Sequence, residues 1–210
     1  MENKHQVHNL IILDESGSME SIKSVIISGF NELVQTIQHT EREFPDQAHF
    51  ISMISFNSSG NKLLHFLDPV NRLKAIDAST YQPNFSTPLF DAIGFGAQKL
   101  KQALTGIPEK NVLVTILTDG EENASTEFNA QAIKSLVEGL KAEGWVFTYI
   151  GTDHDISKVA DQLSITNTMA FQKTDEGINA MFEKEKAYRS KFSQQIRDKK
   201  VSDEGFYEED

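Results

Sequence analysis

The sequence contains no cysteine. That excludes disulfides and any zinc or iron–sulfur centre built on thiolates. Proline is scarce at five residues and glycine, at twelve, is modest. There is no low-complexity segment and no internal repeat. Long hydrophobic runs are also missing: none approaches the roughly 20 residues a membrane helix needs. The N-terminal "MENKHQVHNL" is polar and carries an acid, unlike a charged-then-apolar leader. Positive charge is in deficit, with 20 Lys and Arg against 31 Asp and Glu and a net charge of -11. That balance argues against a duplex nucleic-acid binder and against attraction to anionic membranes. The expectation is a soluble, cytoplasmic protein.

What is present is ordinary globular material. At 210 residues the chain is long enough for one domain with a substantial core. Three short apolar runs, 7–13, 111–118 and 145–151, are rich in β-branched and aromatic residues. None alternates cleanly, as expected of strands covered on both faces of a parallel sheet. Segments 49–57 and 61–70 are separated by Ser-Ser-Gly and read as a hairpin with an antiparallel edge strand. A weaker strand is expected at 167–172. Helical spacing falls between the strands, with Ile22, Val25, Ile26, Phe30, Leu33, Val34 and Ile37 on one face. Thr87 before Pro88 reads as a helix start, Gly144 as a helix end, and Asp155 as the cap of a short helix. The stretch 69–86 reads mostly as loop. Alternating strands and helices predict an α/β layered domain with right-handed crossovers.

Small polar residues gather at the predicted strand ends. Asp14, Ser16 and Ser18 follow the first strand in "LIILDESGSMES"; Thr87 precedes a helix in "NFSTPLFDAI"; Asp119 ends a strand in "TILTDGEEN". Open α/β sheets bind ligands outside the carboxyl ends of their strands. If those strands are neighbours, two carboxylates and three hydroxyls share one crevice. An all-oxygen set suits a hard cation such as Mg²⁺, with Mn²⁺ or Ca²⁺ also possible. Two carboxylates neutralise a divalent ion, and five side chains leave room for an incoming oxygen.

In these elements the sequence resembles the von Willebrand factor type A domains, over roughly residues 5–172. "DESGSM" is similar to their Asp-x-Ser-x-Ser element, and Thr87 and Asp119 stand where the two remaining elements of the metal-ion-dependent adhesion site occur. The resemblance implies a Rossmann-like three-layer α/β/α sandwich, mostly parallel with one antiparallel edge strand. It implies that Ser16 and Ser18 ligate the metal directly. Thr87 would ligate directly when a ligand is engaged. Asp14 and Asp119 would bind directly or through water. The open position would take a Glu or Asp from a protein partner. The expected organisation is a domain over 1–172, a docked amphipathic helix over 173–200 and a flexible acidic tail over 201–210.

Plainer roles compete with this one. Asp14, Ser16 and Ser18 could only cap the next helix; Asp119-Gly120 could be only a turn. Glu15, Glu20, Glu121 and Glu122 read as a solvated acidic rim, Phe85 and Phe90 as core residues, with a place at the rim as the alternative for Phe85, and His154 as a polar loop residue. The other histidines lack zinc-like spacing. A Mg²⁺-dependent phosphohydrolase is the enzymatic alternative, but Ser16 stands where its second acid belongs, and no Gly-x-Ser-x-Gly elbow or phosphate-binding glycine loop is present. A structural domain with a vestigial site is the third. The sequence therefore points to a non-catalytic, cation-dependent protein-binding module.

Overall fold

The computed structural model describes residues 4–152 and 156–208. A six-stranded sheet has the order β3-β2-β1-β4-β5-β6. The strands are β1 (His5–Asp14), β2 (Gln47–Asn57), β3 (Gly60–Pro69), β4 (Lys110–Leu117), β5 (Trp145–Thr152) and β6 (Asn167–Phe171). β1 pairs in parallel with both β2 and β4, the pairs β4–β5 and β5–β6 are parallel, and only β3 runs antiparallel. The helices are α1 (Lys23–Glu43), α2 (Leu89–Ala103), α3 (Ala130–Ala142), α4 (Ile156–Gln162) and α5 (Asp175–Arg197). This is the mixed α/β layered architecture expected, with its single antiparallel edge.

The pleat of β1 explains the layers. Leu10 and Ile12 join a core with Leu89, Ile93, Ile133 and Val137 of α2 and α3. Ile11 and Leu13 point the other way, into a core with Phe30, Leu33, Ile178 and Phe182 of α1 and α5. Alternate residues of a strand face opposite sides, so a run apolar at every position is what a two-sided sheet requires. Successive strands run from β1 to β3 on one side of β1, while β4 to β6 extend on the other. The sheet therefore changes direction between β1 and β4, where a crevice opens beyond the strand ends.

Two local starts differ from the sequence reading. Gly17–Ile22 forms a 3-10 segment before α1. Met19 N–H bonds Ser16 O, and Gly17 N–H bonds Phe85 O at 3.0 Å, tying these tight turns to a distant loop. At α2 the first helical residue is Leu89, and no side chain of the preceding residue caps it. Its free N–H groups instead reach the loop after β4: Phe90 N–H bonds Glu122 Oε2 at 2.9 Å and Asp91 N–H bonds Ser125 Oγ at 3.1 Å. Thr87 is thus relieved of the capping role. At α3 the reading of Gly144 agrees with a positive φ of 85°, where a side chain would be strained. The proposed Asp155 cap and His154 lie outside the described residues.

α5 docks beside α1. A Cβ on Gly29 would overlap the Phe182 ring. Gly29→Ala is expected to destabilise the protein by about 1–3 kcal/mol through overpacking, although alanine favours helix over glycine. An unchanged denaturant midpoint would show that Phe182 can turn aside. Underneath, α5 carries a buried ionic cluster. Arg189 donates from Nε to Glu185 Oε1 at 2.9 Å, from Nη1 to Asn9 Oδ1 at 2.7 Å and from Nη2 to Thr115 Oγ1 at 2.5 Å. The expected flexible tail does not hold for residues 201–208: Phe206 is buried, and Tyr207 donates its hydroxyl to Glu185 Oε2 at 2.7 Å. Enough aromatic surface sits among the tail acids to fold it back onto α5. Residues 209–210 lie outside the described residues.

Candidate functional site

Asp14 is the last residue of β1 and Asp119 lies two residues beyond the end of β4. Because Leu13 pairs with Leu117 across the two strands, both carboxylates arrive at the same rim of the switch-point crevice. Backbone bonds bring the third segment in: Gly17 N–H to Phe85 O at 3.0 Å, and Asn123 N–H to Thr87 O at 3.1 Å. Thr87 N–H in turn donates to Asn123 Oδ1 at 2.9 Å.

The side chains then meet. Ser16 Oγ and Ser18 Oγ are 3.1 Å apart, and Ser18 Oγ donates to Asp119 Oδ1 at 2.5 Å. A methyl group placed on Gly120 would lie 3.2 Å from Thr87 Oγ1, 3.5 Å from Ser18 Oγ and 3.7 Å from Asp14 Oδ2. Glycine leaves that space to the oxygens. All five residues singled out in the sequence are therefore gathered in one crevice. The Ser16 hydroxyl makes no helix-capping bond at the start of the 3-10 segment.

The carboxylates are held in a dry setting. Asp14 is fully buried. Its Oδ1 accepts from Ser16 N–H at 2.7 Å and its Oδ2 from Thr118 Oγ1 at 2.6 Å. Burial raises its pKa to about 6, against the lowering effect of those hydrogen bonds; the Asp119 charge adds to the rise. Tyr81 donates its hydroxyl to the Asp14 carbonyl at 2.7 Å. The Tyr81 phenol is held far above its usual pKa by burial and then by Asp14 and Glu15, so it stays a neutral donor. Asp119 Oδ2 is buried and, among the described residues, receives no hydrogen bond. The Lys173 ammonium stands 2.5 Å from it as an ion pair, off hydrogen-bond geometry.

This donor set fits a hard divalent cation. It offers only oxygen, two of its groups are acids, and one acid oxygen lacks a hydrogen bond. Among the described residues no group of three or more His, Cys, Asp or Glu could hold a metal, so a cation here would depend on the hydroxyls as well.

The sequence matches the von Willebrand factor type A domain over residues 10–184. The chain belongs to that family. No curated protein matches it. The fold of the type A domain recurs in solved structures of low identity. A mutant of the PilB minor pilin from Streptococcus sanguinis is 11% identical with a TM-score of 0.67, covering 94% of this chain and 64% of that one. The chain thus spans less than two thirds of the pilin's length. The vWF domain of the type V pili tip protein Mfa5 from Porphyromonas gingivalis is 11% identical with a TM-score of 0.62, covering 94% and 97%. The SpRpn10 VWA domain is 10% identical with a TM-score of 0.53, covering 86% and 95%. Type A domains are generally protein-interaction or adhesion modules, and such domains are typically not enzymes.

Several readings around the site need correction. Glu15 is not on a solvated rim. It is fully buried and accepts from Ser55 Oγ at 2.6 Å, Lys62 Nζ at 2.7 Å and Gln82 N–H at 2.6 Å. It thereby bolts the β2–β3 hairpin to the loop before α2. Glu122 caps α2, so of the four acids Glu20 and Glu121 remain exposed. Phe85 is not core: it is 59% exposed, with a φ of 67°. Such a backbone costs of order 1–3 kcal/mol in a non-glycine residue. Its carbonyl is the one that receives Gly17 N–H, so the strained conformation serves the junction between loops. Thr118, Tyr81 and Lys173 escaped the sequence reading. Thr118 directly precedes Asp119, and that adjacency is its one local signal. Tyr81 and Lys173 have none.

Proposed function

We propose that this domain holds a divalent cation through Asp14, Ser16, Ser18, Thr87 and Asp119, and that it captures a Glu or Asp side chain of a protein partner there. The observation that carries this reading is the meeting of Thr87 Oγ1, Ser18 Oγ and Asp14 Oδ2 around the bare face of Gly120. Mg²⁺ is the favoured ion, with Mn²⁺ or Ca²⁺ as alternatives. When bound, the cation supplies a positive charge for the partner carboxylate.

The chain's own groups do the rest. Thr118 and Ser16 N–H hold both oxygens of Asp14, which makes that residue a fixed acceptor and not an unencumbered nucleophile. Ser18 orients Asp119 through its hydroxyl. Neutral hydroxyls position the ion without adding negative charge, so attraction for an incoming acid is retained. Exposed Phe85 stands at the rim, where a partner surface would cover it. A cytoplasmic setting and a function without catalysis accompany this proposal.

The test is calorimetric titration with Mg²⁺ and Mn²⁺. The wild type is expected to bind one ion saturably. Asp119→Ala is expected to bind at least about 100-fold more weakly, with unchanged circular dichroism. Retention on an immobilised glutamate peptide is expected in Mg²⁺ and lost in chelator. Equal metal affinity in wild type and Asp119→Ala would reject the proposal.

A further inference from the structure

We infer that Lys173 is a built-in counter-ion of the site, a tethered ammonium that competes with the divalent cation for Asp119. The inference rests on the reading given under Proposed function. Lys173 sits between the end of β6 and Thr174, the residue that caps α5. Its Nζ lies 2.5 Å from Asp119 Oδ2 and donates to Ser18 O at 2.6 Å. Both contacts are to residues of the proposed metal set. The Asp119 side chain has no exposed surface, while that of Lys173 is 36% exposed. The lysine therefore reaches in from solvent to cover a buried charge.

The electrostatics decide between sharing and exchange. Without a second cation, Asp14 and Asp119 place two acids in a dry crevice, and one ammonium partly offsets them. A divalent ion neutralises both acids by itself. Adding the ammonium beside the same carboxylate then leaves an excess positive charge with little water to screen it. The lysine is the flexible, partly exposed partner, with a long stem and ready access to water. Metal entry therefore expels it, and the protein binds metal less tightly than its oxygen set alone would.

Expulsion needs no movement of α5 as a body. Arg189 and Glu185 fasten that helix to β1 and β4 through buried bonds, and Phe182 fills the space above Gly29. The bond from Lys173 to Ser18 O is the part that is free to break. The exchange is a side-chain event at the β6–α5 turn, and it makes the site selective for a cation of charge two over monovalent ions that the ammonium already replaces.

The experiment compares wild type, Lys173→Met, Lys173→Arg and Asp119→Ala. Mn²⁺ affinity is measured by calorimetry, and thermal unfolding is followed in chelator and in saturating Mn²⁺. Lys173→Met is expected to bind Mn²⁺ at least about tenfold more tightly than wild type. It is expected to melt lower than wild type in chelator, because Asp119 loses its counter-ion, and to match wild type in saturating Mn²⁺. Lys173→Arg keeps a cation at the position and is expected to remain within about threefold of wild type. If wild type and Lys173→Met bind Mn²⁺ equally, the competition is overturned while the metal site stands. If none of the four proteins binds Mn²⁺, the metal site itself is overturned and the competition goes with it.

Discussion

Arg189→Ala is expected to destabilise the protein by about 3–5 kcal/mol, the cost of stranding a buried charge. Arg189 and Glu185 side chains are 3% and 1% exposed. The guanidinium serves three groups, one on its own helix and one each on β1 and β4, so its loss orphans Asn9 Oδ1 and removes a donor from Thr115 as well as from Glu185. The cavity left by the side chain adds to that loss. Chemical denaturation measures the effect. A control separates charge from packing: adding Glu185→Gln to Arg189→Ala removes the unpaired carboxylate and keeps an oxygen for Tyr207. The double variant is expected to be more stable than Arg189→Ala alone. If it is less stable, the penalty comes from packing and hydrogen bonding and not from the stranded charge.

The second large effect is acid sensitivity. His8 and His49 are buried, and among the described residues the Nδ1 of each lacks a hydrogen-bond partner. Burial lowers both pKa values to about 4. For His8 the Lys110 charge adds to the effect, and for His49 Arg189 and then His5 do so. The folded values lie below the ordinary value of 6.5 that the unfolded chain adopts. The unfolded chain therefore takes up protons first as pH falls. Stability is complete above about pH 6.5 and is lost progressively down to about pH 4, by about 3 kcal/mol for each imidazole. In metal-free protein Asp14 acts in the opposite sense. Its folded pKa, raised to about 6, makes the folded state hold a proton that the unfolded state releases, so falling pH offsets about one histidine. The expected net loss between pH 7 and pH 4 is about 3 kcal/mol. His49→Gln is expected to flatten the profile, and urea unfolding across that range reads it directly. A loss of equal size in the His8→Asn/His49→Gln double variant would place the acid sensitivity elsewhere.

The two effects are linked through one element. Arg189 fixes α5 to the sheet and also helps keep His49 neutral, so its removal is expected to shallow the pH dependence as well as lower stability. The apolar and ionic contents of this interface were differently legible. The aromatic residues Phe182, Tyr188 and Phe192 lie within the amphipathic helix expected over 173–200, and they favour docking over partner binding for it. Nothing near Arg189 in sequence announces Asn9 or Thr115 as its partners. Hydrogen-bond partners from distant segments have no periodicity, whereas burial of a helix face does.

The same contrast runs through the candidate site. Asp14, Ser16 and Ser18 are neighbours in the chain, and a carboxylate closing an apolar strand is a local anomaly that invites explanation. Thr87 and Asp119 were found because each sits at an element boundary with its own local marks. Glu15 was misread because its position beside Asp14 looks solvent-facing until β2, β3 and the loop before α2 close over it. For Phe85 the rim alternative holds over the core reading: an aromatic residue beside a helix start is expected to be buried, yet this one stands exposed with a positive φ.

The order of strands and helices, the apolar faces that pack them and the five oxygen-bearing residues were written in local patterns, because strand pleat, helix periodicity and turn chemistry act over a few residues. The switch point between β1 and β4, the burial of Glu15 and the arrival of Lys173 at Asp119 were decided by tertiary structure alone. They depend on groups as much as 155 residues apart in the chain, and only the closed fold brings such charges within reach of one another and removes the water between them.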